Sequence, residues 1–137
     1  MDIEKVLSRF EELLSQGRVD EAGQYLEETA AVSERGGDGL AEASCRNELT
    51  GFWRVCGQRE KSYASAERAL ALLSENGLAG SIDYATVLLN YATAKSAFGE
   101  SAEALPLYRR AAAGLRLPPR EPIQQYGAGS AAGREYE

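Results

Sequence analysis

Residues 83 to 115 read DYATVLLNYATAKSAFGESAEALPLYRRAAAGL, and this stretch decides the fold. Leu88, Tyr91, Ala92 and Lys95 recur at helical spacing until Gly99 interrupts. A second run then places Ala104, Leu105, Tyr108, Ala111 and Ala112 on one face. The unit predicts a helix, a tight turn and a second helix, with small residues where two helices approach closely.

Working outward, the same pattern appears twice more. Val6, Phe10, Leu13 and Leu14 mark a first helix over Asp2 to Ser15, which Gly17 stops. A second starts at Val19-Asp20 and carries Ala22, Tyr25, Leu26, Thr29 and Val32. The run Arg35-Gly36-Gly37-Asp38-Gly39 forms a loop whose Asp suits the cap of the next helix. That third helix is expected over Leu40 to Cys56, with Ala41, Ser44 and Cys45 on its first turns and Leu49, Phe52, Trp53 and Cys56 in its stripe. A fourth runs from Lys61 to Asn76-Gly77, and Ser81-Ile82-Asp83 opens the fifth. Ser101 is read as the cap of the sixth, so that Pro106 falls near the helix start, where a missing N–H costs little.

The glycines inside the pairs set the period: Gly17 to Gly57 is 40 residues and Gly57 to Gly99 is 42. A regular period of this size is the signature of stacked helical hairpins. Here the chain resembles the tetratricopeptide repeat, on Leu88, Tyr91, Ala92, Gly99, Ala104, Tyr108 and Ala111. Asp83-Tyr84-Ala85 and Leu89-Asn90 look like the longer variant found in kinesin light chains. The resemblance implies an all-α, right-handed α-solenoid of three hairpins over residues 1–116, with repeats near 1–36, 38–77 and 81–116. A Pro/Gly-rich tail, 117–137, is expected to be unpacked or docked on a neighbour. Read one nucleotide later under suitable codons, Ile123 to Ser130 would encode Ser-Asn-Asn-Met-Ala-Leu-Val-Gln, similar to the opening of a further repeat; sequencing the gene tests this.

Composition narrows the function. The chain of 137 residues carries 21 acidic against 15 basic residues, a net charge of −6. Nucleic acid is a poor partner for it, because a polyanion requires clustered Lys and Arg. Arg109, Arg110, Arg116 and Arg120 lie near one helix end, where cations are favoured anyway. No apolar run approaches the ~20 residues of a membrane span, and the acidic start lacks the features of a signal peptide. A cytoplasmic location is expected. Cys45 and Cys56 are 11 positions apart on one predicted helix, about 16 Å along its axis, too far for a disulfide. With no His in the chain, a Cys/His metal site or a Ser–His or Cys–His dyad is excluded. Gly36-Gly37-Asp38-Gly39 has neither the preceding strand nor the following Lys of a phosphate loop. Glu11-Glu12, Asp20-Glu21 and Glu27-Glu28 read as solvated helix surface. No catalytic residue, metal ligand or cofactor site is assigned, and no enzyme is expected.

A solenoid lines its concave surface with the first helix of each pair. Candidate groove residues are Glu4, Leu7, Ser8, Glu11 and Ser15; Asn47, Glu48, Gly51, Arg54 and Val55; and Thr86, Leu89, Asn90, Thr93, Ser96 and Ala97. An Asn amide both donates and accepts, so it can hold an extended peptide backbone. In kinesin-light-chain-like repeats a similarly placed Asn faces bound peptide; Asn90 matches it and Asn47 is one residue out of register. The carboxylate-clamp subclass is disfavoured, since Glu48 stands beside a single Arg54. An acidic groove suits a basic or neutral segment. The sixth helix carries Leu105, Tyr108, Ala112 and Leu115 with nothing apolar following, which predicts self-association through the C-terminal repeat. Two functions follow: an adaptor holding a peptide or helix in its groove, or an assembly element without an external ligand. A regulatory subunit of an enzyme is the third.

Overall fold

The computed structural model describes residues 1–115, and within them the chain is all-helical. The expectations for the tail, Arg116 included, lie outside the described residues. Six helices occur among the described residues: α1 (Ile3–Ser15), α2 (Val19–Arg35), α3 (Gly39–Val55), α4 (Arg59–Glu75), α5 (Ile82–Ala97) and α6 (Ser101–Gly114). They pair as α1/α2, α3/α4 and α5/α6. Each helix packs on its chain neighbours, and the first helices of successive pairs touch one another more closely than the second helices do. The stack therefore curves with α1, α3 and α5 on its inner side.

The turns follow from local chemistry. Gly17, Gly37, Gly57, Gly77 and Gly99 all have φ between 73° and 85°, a region that side-chain-bearing residues avoid. After each, the next N–H returns to the last helical turn: Arg18 to the Leu13 carbonyl at 2.9 Å, Gln58 to Trp53 at 2.8 Å, Glu100 to Lys95 at 2.8 Å. This is the Schellman closure of a helix C-terminus. Three helices open on capping side chains. Asp2 accepts from the Glu4 and Lys5 amides, Asp38 from Ala41 at 3.1 Å, and Ser81 from Tyr84 at 3.1 Å.

The sixth helix differs from expectation at its start. Its N-cap is Glu100, which makes no side-chain cap bond, and Ser101 is already helical. Pro106 thus lies beyond the orphan amides of the first turn. It removes the N–H that the Ala102 carbonyl would accept, and because Ala102 is exposed, water can serve that carbonyl.

The core runs through the stack as three clusters. Phe10 and Leu13 of α1 meet Ala22, Leu26 and Ala30 of α2 and Cys45, Leu49 and Phe52 of α3. Ala43, Ala69, Leu72, Leu73 and Val87 form the second layer, and Leu88, Leu89 and Ala111 the third. Gly23 exists to let α3 approach, since a Cβ there would lie 2.6 Å from the Phe52 ring. Both cysteines are free, Cys45 buried and Cys56 exposed at the end of α3. Cys56 therefore leaves the buried stripe to which its spacing assigned it.

The two ends of the stack are unlike. Counting back from each turn glycine, Cys45, Leu49 and Phe52 of α3 correspond to Val87, Tyr91 and Ala94 of α5, all buried against the preceding pair. The same positions of α1 are Lys5, Arg9 and Glu12, all exposed, with Arg9 bonded to Glu12. The leading face is polar. At the other end, Gly23 and Tyr63 each fall six residues after their turn glycine and meet the next pair: Gly23 lies under Phe52, and Tyr63 stacks on Tyr91 at 5.5 Å. Leu105 is their counterpart in α6, and it is 42% exposed.

Candidate partner-binding groove

The inner surface between α3 and α5 holds a cleft of about 190 Å³. Ala43, Leu73, Leu78 and Val87 give it an apolar floor, while Ser44, Asn47, Asp83 and Thr86 supply polar walls. Leu40, 48% exposed, stands at its mouth. An apolar depression bordered by a few polar groups is the general form of a recognition site.

Beside the cleft the two asparagines meet. Asn90 donates from Nδ2 to the Asn47 Oδ1 at 2.7 Å, joining α5 to α3 across the repeat boundary. Asn90 is only 4% exposed, and its own Oδ1 is buried without a hydrogen-bond partner. A buried carbonyl oxygen left unpaired costs about 1–3 kcal/mol. Asn47, half-buried, is the member of the pair that lines the cleft.

Of the predicted groove residues, this arrangement unites Asn47, Asn90 and Thr86. Others are placed differently. Leu89 is 4% exposed and packs with Leu88 and Ala111 under Tyr108, so it belongs to the α5–α6 core and not to the groove. Gly51 is buried within the α3 layer, where no side chain could be offered to a ligand. Asn90 itself is inside the packing and reaches the surface only through Asn47. Thr93 accepts from the Tyr108 hydroxyl at 3.4 Å and donates to the Leu89 carbonyl, which ties it to α6. Glu48 and Arg54 are half-buried on α3, and Ser96 is exposed near the end of α5. The physical reason is common to all: a middle helix has neighbours on three sides, and its period alone does not say which open side remains.

Two charged clusters escaped the sequence reading. Glu42, 1% exposed, receives Arg68 at 2.9 and 3.0 Å and Arg46 at 3.3 Å. Arg46 also binds Glu27 at 2.9 Å, and Glu27 accepts the Trp53 indole N–H at 2.9 Å. The network sews α2, α3 and α4 together. Its signal was present in the sequence: Glu42 sits three residues before Cys45 on an otherwise apolar stripe. In the next layer, the Lys95 ammonium lies 4.3 Å from the Tyr63 ring centre and 2.7 Å from Glu103. Burial and a hydrogen bond to Glu100 push the Tyr63 phenol above its ordinary value; burial and Glu67 do the same to Tyr91. Both phenols thus stay protonated and donate to their carboxylates.

Among the described residues no cluster of His, Cys, Asp or Glu could hold a metal ion, and no helix is long and apolar enough to cross a membrane. No protein-family model matches the chain, and no curated protein matches it.

Proposed function

We propose that this chain is a protein-interaction module of the tetratricopeptide-repeat type, a cytoplasmic adaptor without catalytic activity. Its inner α3–α5 surface takes an extended, neutral or basic segment of a partner protein. The Asn47 amide on the wall of an apolar cleft, held in place by Asn90, carries this reading. An asparagine amide both donates and accepts, so it can grip peptide backbone without fixing side chains. The cleft would supply side-chain preference, for an aliphatic residue flanked by the Asp83 carboxylate. Preformed helices keep the ordering cost on the module's side low.

A display library of short peptides tests the proposal. Selected peptides are expected to carry an aliphatic residue next to a neutral or basic one. Asn47→Ala and Ser44→Tyr, the latter obstructing the cleft, should each weaken them by about tenfold, or ~1.4 kcal/mol, with helicity unchanged. Peptides that bind equally well to both variants would place recognition elsewhere.

A further inference from the structure

The chain's single tryptophan, Trp53, stands in an opening that the groove does not use. We propose that this opening takes an arginine side chain of a partner protein, whose guanidinium lies on the Trp53 ring and reaches the Asp20 carboxylate. The proposal is independent of the α3–α5 cleft, with which the opening shares no lining residue. The opening measures about 610 Å³, within the ~300–1,000 Å³ of ligand-sized clefts. α2 gives it Asp20, Gln24 and Glu27, the end of α3 gives Trp53 and Cys56, and the first turn of α4 gives Lys61.

The ring is set in place by the protein itself. Its indole N–H donates to Glu27 at 2.9 Å, it meets Phe52 edge-on at 4.8 Å, and its Cη2 edge lies over Gly23. One face already receives a cation, since the Lys61 ammonium lies 4.4 Å from the ring centre. The turn at Gly57 brings Lys61 there, with the Gln58 N–H returning to the Trp53 carbonyl at 2.8 Å. Lys61 is exposed and makes no ion pair among the described residues. Lys95, over Tyr63 in the next layer, is by contrast 13% exposed and bound to Glu103 at 2.7 Å. Lys61 is held by the ring alone and can swing into water.

A guanidinium suits the place better than an ammonium. It is planar, stacks flat on an indole and is more weakly hydrated. Its N–H groups need an acceptor, and Asp20 offers an exposed carboxylate in no ion pair among the described residues. The charge of Asp20 reaches into the opening: burial first, and then that charge, push the Cys56 thiol above its ordinary value. No arginine lines the opening. Arg18 is bound to Glu21 through two N–H groups, Arg46 to Glu27 at 2.9 Å, and Arg59 acts on Glu100. Glu60, exposed beside Lys61, adds further negative charge. Once Lys61 swings out, the unanswered charge is that of Asp20, which calls for a cation.

Because no other tryptophan is present, the emission of Trp53 reads this site directly. The full chain is titrated with the tripeptide acetyl-Gly-Arg-Gly-amide, and with versions that carry citrulline, its neutral isostere, or lysine in place of arginine. A saturable change in emission is expected with arginine. Citrulline should bind about tenfold more weakly, and lysine should also bind more weakly. Asp20→Asn should weaken the arginine peptide by about tenfold with helicity unchanged. Lys61→Ala should tighten it by uncovering the ring, a gain that a merely structural lysine would not give. Asn47→Ala, at the α3–α5 cleft, should leave it unaltered. The absence of a saturable change overturns the proposal, as do citrulline or lysine peptides that bind as tightly as arginine. Weaker binding by Lys61→Ala overturns it too, and so does a loss in Asn47→Ala, which would place the peptide in the cleft.

Discussion

Glu42 keeps a carboxylate at a position that is 1% exposed. Burial alone would push its pKa up, since removing the charge from water is costly. Hydrogen bonds and charge from Arg68, then Arg46, outweigh burial and hold it below the ordinary value of 4.5. A folded-state pKa below the unfolded one means the contribution is complete above the unfolded value and is lost as pH falls through the folded one. The protein should therefore lose stability steadily as pH drops below about 4.5. Glu42→Gln removes the charge and keeps the shape; it should cost roughly 2 kcal/mol at neutral pH, the scale of hydrogen bonds to charged groups. The same change should flatten the acid limb of the stability–pH curve. Urea midpoints at pH 7 and in the acid range check both. A variant whose acid limb is as steep as the parent's would mean that other carboxylates set it.

The contact of α2 with α3 turns on Gly23. A methyl group there would sit 2.6 Å from Phe52 Cε2 and 2.9 Å from Cζ. Phe52 has nowhere to move, being 2% exposed and lying edge-on to Phe10 and Trp53 at 5.6 and 4.8 Å. Overpacking of this kind costs ~1–3 kcal/mol, while replacing a mid-helix glycine returns at most ~1 kcal/mol. Packing wins, so Gly23→Ala should destabilise by about 1–2 kcal/mol and perturb the near-ultraviolet signal of Trp53. A rise in melting temperature would show that the helices can separate at no cost. The same junction shows what was legible in the sequence. Turn glycines, the Asp38 cap and the paired helices could be read because each depends on residues close along the chain. The burial of Leu89 and Gly51, and the Glu42–Arg68 contact, depend on which helix arrives on which side. That information lies on other helices, 26 positions away for Glu42 and Arg68 and 22 for Leu89 and Ala111, where periodicity is silent. Ser101 was misplaced by one residue for a different reason: the cap here is a backbone event at Glu100, with no side-chain bond to announce it.

A stack in which each pair touches only its neighbours has stability that varies along its length. α5 contributes eight buried residues and α3 likewise eight, whereas α1 buries Phe10 and Leu13 and α6 buries Ala104 and Ala111. The middle first helices are thus anchored from both sides and the terminal helices from one. Hydrogen exchange under native conditions should be slowest in α3 and α5 and fastest in α1, whose leading face is already polar and gains nothing from a neighbour. Equal exchange in all six helices would mean that the stack opens as one cooperative unit, in which case end effects carry no weight.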